Sequence, residues 1–200
     1  MLKVYGDYRS GNCYKVKLML HLLDKPYQWG AVDILKGETQ SETFLVKNPN
    51  GKIPVLELED GTCLWESNAI LNFLAEGSEF LPGEPRLRTQ VLQWQFFEQY
   101  SHEPNVAVAR FIQLYQGMPE ERREEHGIRL ARGYKALKVM EQQLLRTPYL
   151  VGEDYSIADI ALYAYTHVAH EGGFSLEAFP AICSWLDRIA SHPRHVTMLG

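Results

Sequence analysis

Between residues 77 and 86 the chain reads GSEFLPGEPR, with two prolines and two glycines in ten positions. Proline lacks the backbone donor that helices and central strands need, and glycine resists ordering, so this stretch punctuates the chain. It also separates two hydrophobic patterns that belong to different fold classes. Ahead of it, short β-type runs alternate with helical ones. Beyond it, no strand pattern recurs.

LKVYG (2–6) reads as a strand and Asp7 to Gly11 as a turn. From Asn12 the period becomes helical, with Val16, Leu18, Met19, Leu22 and Leu23 on one side, until Asp24-Lys25-Pro26 stops it. YQWGAVDI (27–34) is a second strand, Lys36 to Gln40 a polar loop, and Ser41 to Val46 a short helix. Ile53 to Leu58 and Cys63 to Glu66 are two further strands joined through Asp60-Gly61, a dipeptide suited to a tight hairpin turn. Ser67 opens a helix ending near Gly77. The order is βαβαββα, an α/β domain over 1–77, with a linker at 78–86. The rest, 87–200, reads as an all-α domain. Its helices are expected at 87–116, 119–145, 156–170 and 180–190, with a short segment around Ser175–Phe179. The 156–170 helix opens on Ser-Ile-Ala-Asp, in which Ser156 and Asp159 can cap each other's backbone, with Tyr155 and Ile160 at the staple positions.

Composition narrows the function. The net charge is -5 with 46% hydrophobic residues, so the chain is globular and lacks the basic excess of a nucleic-acid binder. No run of 18 apolar residues argues for a membrane span, and the N-terminal residues lack a signal-peptide pattern. Three widely spaced cysteines, Cys13, Cys63 and Cys183, suit a reducing cytoplasm rather than a disulfide framework. No metal site is expected: His167, His170 and Glu171 lack further partners. The EERREEH run at 120–126 reads as a solvated helix face.

Three short segments carry polar chemistry. In NPNGKIPVL, Pro54 stands inside a strand pattern, where it cannot donate to a ladder. It is either a simple strand-start proline or a cis-proline that leaves the Ile53 backbone open to an extended peptide. In WESNAI, Ser67 stands where a helix N-cap belongs, and helix N-termini bind anions. Glu66 before it could pair with an ammonium, so the two could grip an α-amino-acid group; a plain cap with an exposed Glu is the alternative. In YRSGNCYKV a strand feeds a helix through small residues, placing Ser10 and Asn12 where a thiolate would be stabilised. Cys13 could be such a thiol itself, or a small buried hydrophobe.

In this order and spacing, the turn RSGNCYKV, the NPNGKIPVL and WESNAIL segments and the SIADI helix start resemble a glutathione transferase over nearly the whole chain. The resemblance implies a thioredoxin-like glutathione-binding domain followed by the family's helical domain. Pro54 matches the cis-proline, and Ile53 the residue whose backbone pairs with the cysteinyl unit of glutathione. Glu66 and Ser67 match the pair holding the γ-glutamyl ammonium and carboxylate. Lys52 and Thr39 fall near the glycyl end, Thr39 where several classes place His or Gln. Ser10 aligns with the hydroxyl that donates to the glutathione thiolate in serine-type theta, delta and zeta classes. Asn12 departs from the delta pattern, which has Pro there, and approaches the nu class, whose Thr-Pro-Asn turn serves disulfide reduction with bound glutathione. The resemblance places the second substrate between the domains, with Tyr8, Arg9, Phe97, Tyr100 and Ser101 as candidates.

The implied function is transfer of the glutathione thiolate to a small electrophile, in a detoxifying, cytoplasmic homodimer that takes glutathione as co-substrate, with no metal, nucleic acid or membrane partner. A glutathione-dependent disulfide or peroxide reductase is the nearer alternative, and a non-catalytic glutathione-fold binding protein the further one.

Overall fold

The structure, a computed structural model, describes residues 1–199. It divides into two compact units. One begins at Met1, runs to Ser78 and is rejoined by the chain from Pro193 onward; the other is Glu79–His192.

In the first unit, strands β1 (Leu2–Gly6), β2 (Tyr27–Ala31), β3 (Val55–Glu57) and β4 (Cys63–Trp65) form one sheet in the order β2-β1-β3-β4. β1 and β2 run parallel, which requires a crossover, and helix α1 (Gly11–Leu22) supplies it. β3 lies antiparallel to both β1 and β4, and a turn at Asp60-Gly61 joins it to β4, as that dipeptide predicts. Helices α2 (Glu42–Leu45) and α3 (Ser67–Ala75) complete the order βαβαββα. The strands are shorter than the sequence suggests. The ladder between β1 and β2 stops at Gly6 and Ala31, and Val32 adds a single further bond, to the Gly6 carbonyl.

Ten of the twelve residues of α1 are buried, Lys15 and Lys17 among them. The C-terminal tail accounts for part of this. The Tyr14 hydroxyl donates to the Val196 carbonyl at 2.7 Å. Lys17 Nζ donates to the Thr197 and Met198 carbonyls, each at 3.1 Å, and Arg194 donates to Leu22 O at 2.9 Å. The expected division assigned the whole tail to the helical domain. A polar tail carries no periodic signal of where it docks, and its carbonyls are met by side chains of α1 that the sequence presents as ordinary helix residues.

In the second unit, α4 (Pro85–Phe97) and α5 (Glu103–Arg110) occupy the predicted long helix, separated by a π-helical turn at Glu98–His102; another such turn follows at Phe111–Tyr115. Pro104 explains the first widening, because its ring cannot sit under the carbonyl four residues earlier in a regular α-turn. α6 (Arg123–Leu144), α7 (Ile157–Thr166) and α8 (Pro180–Ala190) follow. The segment at Ser175–Phe179 is not a helix but extended chain with one turn, and a short 3₁₀ helix lies just before it at Ala169–Gly172. All ten residues of α7 are buried. Its start carries the expected capping box: Ser156 Oγ accepts from the Ala158 amide, and Asp159 Oδ2 from the Ser156 amide at 3.0 Å. Asp159 Oδ1 also accepts from Leu150 N and Trp185 Nε1, both at 2.9 Å, so the box ties α7 to the preceding loop and to α8.

Candidate active site

The Ile53-Pro54 peptide is cis. Val55 pairs with Trp65 at the end of the β3–β4 ladder, so Ile53-Pro54 on one strand and Glu66-Ser67 on the other lie just beyond that last pair. Among the described residues, no backbone hydrogen bond goes to the N–H or carbonyl of Ile53. Its side chain is anchored against Val32, Phe44 and Val55. The combination is a fixed backbone with open peptide groups, the element that strand-addition recognition uses.

Across from it, Glu66 adopts φ 68 and ψ 108, a positive φ in a residue other than glycine. Such a conformation costs on the order of 1–3 kcal/mol and persists where the surroundings enforce it. Glu66 is the N-cap residue of α3 yet makes no side-chain cap bond. Ser67, the first helical residue, therefore opens onto a helix end whose dipole favours a carboxylate. Its hydroxyl is held on both sides: it accepts from Lys15 Nζ at 3.3 Å and donates to Asn12 Oδ1 at 3.3 Å. Lys15 is fully buried under this helix start.

Those two bonds tie α3 to the start of α1, and so to Ser10. Ser10 is the N-cap of α1, with its Oγ accepting from the Cys13 amide at 3.4 Å. Accepting leaves the hydroxyl proton available for donation. Asn12 presents its carbonyl oxygen to Ser67, so this side chain leans toward the α3 start. Ser10, Asn12, Ile53, Pro54, Glu66 and Ser67 thus converge at one end of the first unit.

A family model of the glutathione S-transferase N-terminal domain matches residues 9–76, and one of the glutathione S-transferase C-terminal domain matches residues 105–193. A glutathione S-transferase of known crystal structure from Pseudomonas fluorescens is 78% identical, with a TM-score of 0.99 over 100% of this chain and 99% of that one. The chain belongs to the glutathione S-transferase family. The disulfide-bond oxidoreductase YfcG of Escherichia coli is 32% identical over 91% of this chain and 87% of its own length. A glutathione transferase from Burkholderia graminis, solved with two glutathione molecules per subunit, is 27% identical with a TM-score of 0.85 over 99% of this chain and 87% of that one.

The remaining family positions are less uniform. Thr39 is buried, and its hydroxyl accepts from Gln40 Nε2 at 3.4 Å. Gln40 is exposed and also donates to the Gly51 carbonyl at 3.3 Å, beside Lys52. Gln40, the residue after Thr39, thus spends both of its Nε2 hydrogens within the fold. Lys52 is exposed and makes no ion pair among the described residues. Tyr8 is half exposed and stacks on Trp29 with ring centroids 4.5 Å apart, while Arg9 is exposed beside Asp7. In the helical unit, Phe97, Tyr100 and Ser101 line one cavity.

Cys13 is fully buried, its sulfur so close to Gly6 that a Cβ there would lie 2.5 Å from it. Burial pushes its thiol up to about 12, which keeps it protonated and makes it a packing residue, not a nucleophile. No group of three or more His, Cys, Asp or Glu side chains that could hold a metal occurs among the described residues. Neither Lys15 nor Gln40 is signalled directly by its local sequence. The one available signal for Lys15 is its place, with Lys17, in the otherwise apolar YKVKLML.

Proposed function

We propose that the protein binds glutathione along this end of the first unit and transfers its thiolate to a small electrophile. One observation carries the reading: the open Ile53 backbone and the uncapped α3 start at Glu66-Ser67 flank the last pair of the β3–β4 ladder, Val55 and Trp65. A γ-glutamyl group needs an anion-binding helix end and a carboxylate for its ammonium. A cysteinyl unit needs an open backbone, and a glycyl carboxylate needs a cation, which the exposed Lys52 supplies. Ser10 then donates its hydroxyl proton to the sulfur. A free thiol has a pKa of about 8.5, so each unit of depression raises the thiolate fraction nearly tenfold until it saturates. The thiolate attacks the electrophilic carbon, a carbon–sulfur bond forms, and the leaving group departs with its electron pair. Phe97, Tyr100 and Ser101 receive the second substrate in the helical unit, and Tyr8 and Arg9 flank the Ser10 turn.

Homodimer formation belongs to the same reading. Leu92 and Phe96 lie one turn apart on α4, both exposed, Phe96 by 70%. A detoxifying role and a cytoplasmic location accompany it; no helix among the described residues is long and apolar enough to cross a membrane.

A second reading, glutathione-dependent reduction of disulfides, draws on the likeness to YfcG and on Asn12. There the thiolate attacks one sulfur of a disulfide and the other leaves as a thiolate. Steady-state turnover of a model aryl halide against a small mixed disulfide, with glutathione in both, decides between them. Faster aryl halide turnover supports transfer, faster disulfide turnover supports reduction, and neither above the uncatalysed rate defeats both.

A further inference from the structure

The cavity holding Phe97, Tyr100 and Ser101 has a volume of about 350 Å³, within the range of small-ligand sites. Its opposite wall is α6, which contributes Arg129, Arg132 and Lys135. Three cations at intervals of three residues share one helix face. Arg129 is paired, with Nη2 3.1 Å from Glu125 Oε1. Arg132 and Lys135 make no ion pair among the described residues, and no carboxylate lines the cavity. The chain as a whole is acidic, at -5, so this concentration of positive charge runs against the composition.

Two further features point to a ligand. Asn105 is 6% exposed; its Nδ2 donates to Ser101 O at 2.7 Å, while its buried Oδ1 has no partner. A buried amide oxygen left open is costly unless something donates to it. Tyr100, on the π-helical turn, brings a large aromatic ring to the cavity wall, one turn beyond Phe96. The charge is also confined to one end. A neighbouring cavity of about 520 Å³ shares Phe97 and Val139 but is lined by neutral residues, Gln90, Gln93 and Gln143 among them.

We propose that this cavity takes a small aromatic carboxylate whose ring also bears the leaving group that the thiolate displaces, the ring against Phe97 and Tyr100 and the carboxylate on Arg132 and Lys135. The assignment rests on the reading of this cavity as the second-substrate site, and it names the class of that substrate. An ordinary solvated helix face would have the same three cations but no preference between a charged ligand and a neutral one of the same shape.

Equilibrium titration of the full chain with nitrobenzoate and with nitrobenzamide, followed by tryptophan fluorescence in saturating S-methylglutathione, tests this. The acid is expected to bind about tenfold tighter than the amide, the worth of one charge-assisted contact. Its affinity should fall as salt rises while that of the amide holds, because salt screens only the charged ligand. In the Arg132→Gln/Lys135→Gln variant the two ligands should bind within about twofold of each other. Equal binding in the wild type, or a gap that survives both substitutions, overturns the proposal. So does a second equivalent of S-methylglutathione that occupies the cavity in an Arg132-dependent way and excludes nitrobenzoate, since the occupant would then be a peptide. The titration needs no turnover. A preference for the acid in a protein that fails to bind glutathione would leave the cavity assignment standing and remove the transferase reading.

Discussion

The starts of α3 and α7 look alike in the sequence, each a serine ahead of an apolar helical run, and they serve opposite ends. At Ser156 every polar group is turned inward. Its hydroxyl accepts from Ala158 N, its amide donates to Asp159, and Asp159 goes on to serve Leu150 and Trp185. At Ser67 the cap is missing: Glu66 stands in a positive-φ conformation without capping α3, and the Ser67 hydroxyl is steered sideways by Lys15 and Asn12. A helix end closed on itself stabilises the fold. A helix end left open at a conformational cost is a place for a ligand's charge.

The difference is broken most severely from the closed side. Asp159→Ala leaves the Leu150 amide and the Trp185 indole buried without an acceptor and removes the box. The expected loss is about 3–5 kcal/mol of unfolding free energy, read from urea denaturation. Burial raises the Asp159 carboxyl from 3.8 to about 6 in the folded state. The folded protein then holds that proton to higher pH than the unfolded chain does. Stability linked to this group is therefore present below about pH 4 and declines as pH rises toward about 6. The alanine variant should lack that slope. A variant as stable as the wild type would mean the box is dispensable.

From the open side, the Glu66→Ala/Ser67→Ala variant is expected to lose about a hundredfold in glutathione affinity by calorimetry, while its thermal midpoint falls by less than that of Asp159→Ala, since buried Lys15 loses one acceptor. Unchanged affinity would remove the γ-glutamyl assignment. A stability loss as large as that of Asp159→Ala would instead show that the α3 start is a structural cap after all.

Much of this contrast was legible in the residues, and its limits are physical. The strand–helix order, the hairpin at Asp60-Gly61 and the Ser156 box follow from local rules, because period, turn chemistry and reciprocal capping act over a few residues. The cis peptide at Pro54 was legible through the place of NPNGKIPVL along the chain. What each side chain points at was not. Thr39 and Gln40 are adjacent, and which of them faces outward is fixed by packing around Gly51, at φ 62, where a Cβ would lie 2.5 Å from Gln40 Nε2. Lys15 reads as a surface lysine, and only the tertiary approach of α1 to α3 makes it the buried donor to Ser67. The docking of the tail on α1 is likewise a decision of packing, whereas the absence of a helix at Ser175–Phe179 follows from local breakers, Gly173 at φ 90 before it and Pro180 after it.

A third serine-led helix, α1, falls between the two cases and sharpens them. Ser10 caps its helix by accepting, as Ser156 does, but the Ser156 hydroxyl also gives its hydrogen bond to Asp159 Oδ2 at 3.1 Å, whereas the cap at Ser10 leaves the proton unspent. It can therefore serve the fold and still donate to a ligand sulfur, while Asn12 is drawn toward Ser67 through its oxygen. Ser10→Ala should raise the pKa of the bound glutathione thiol, followed by thiolate absorbance in the ultraviolet, by about one to two units, the effect of removing a donor to the charged form. Asn12→Ala should move it less and act mainly on affinity, through the loss of its hold on Ser67. If Asn12→Ala gives the larger pKa change, the donor is the amide and not the hydroxyl. The α1 start would then be a cap of the closed kind, with the sulfur held from the α3 side of the site.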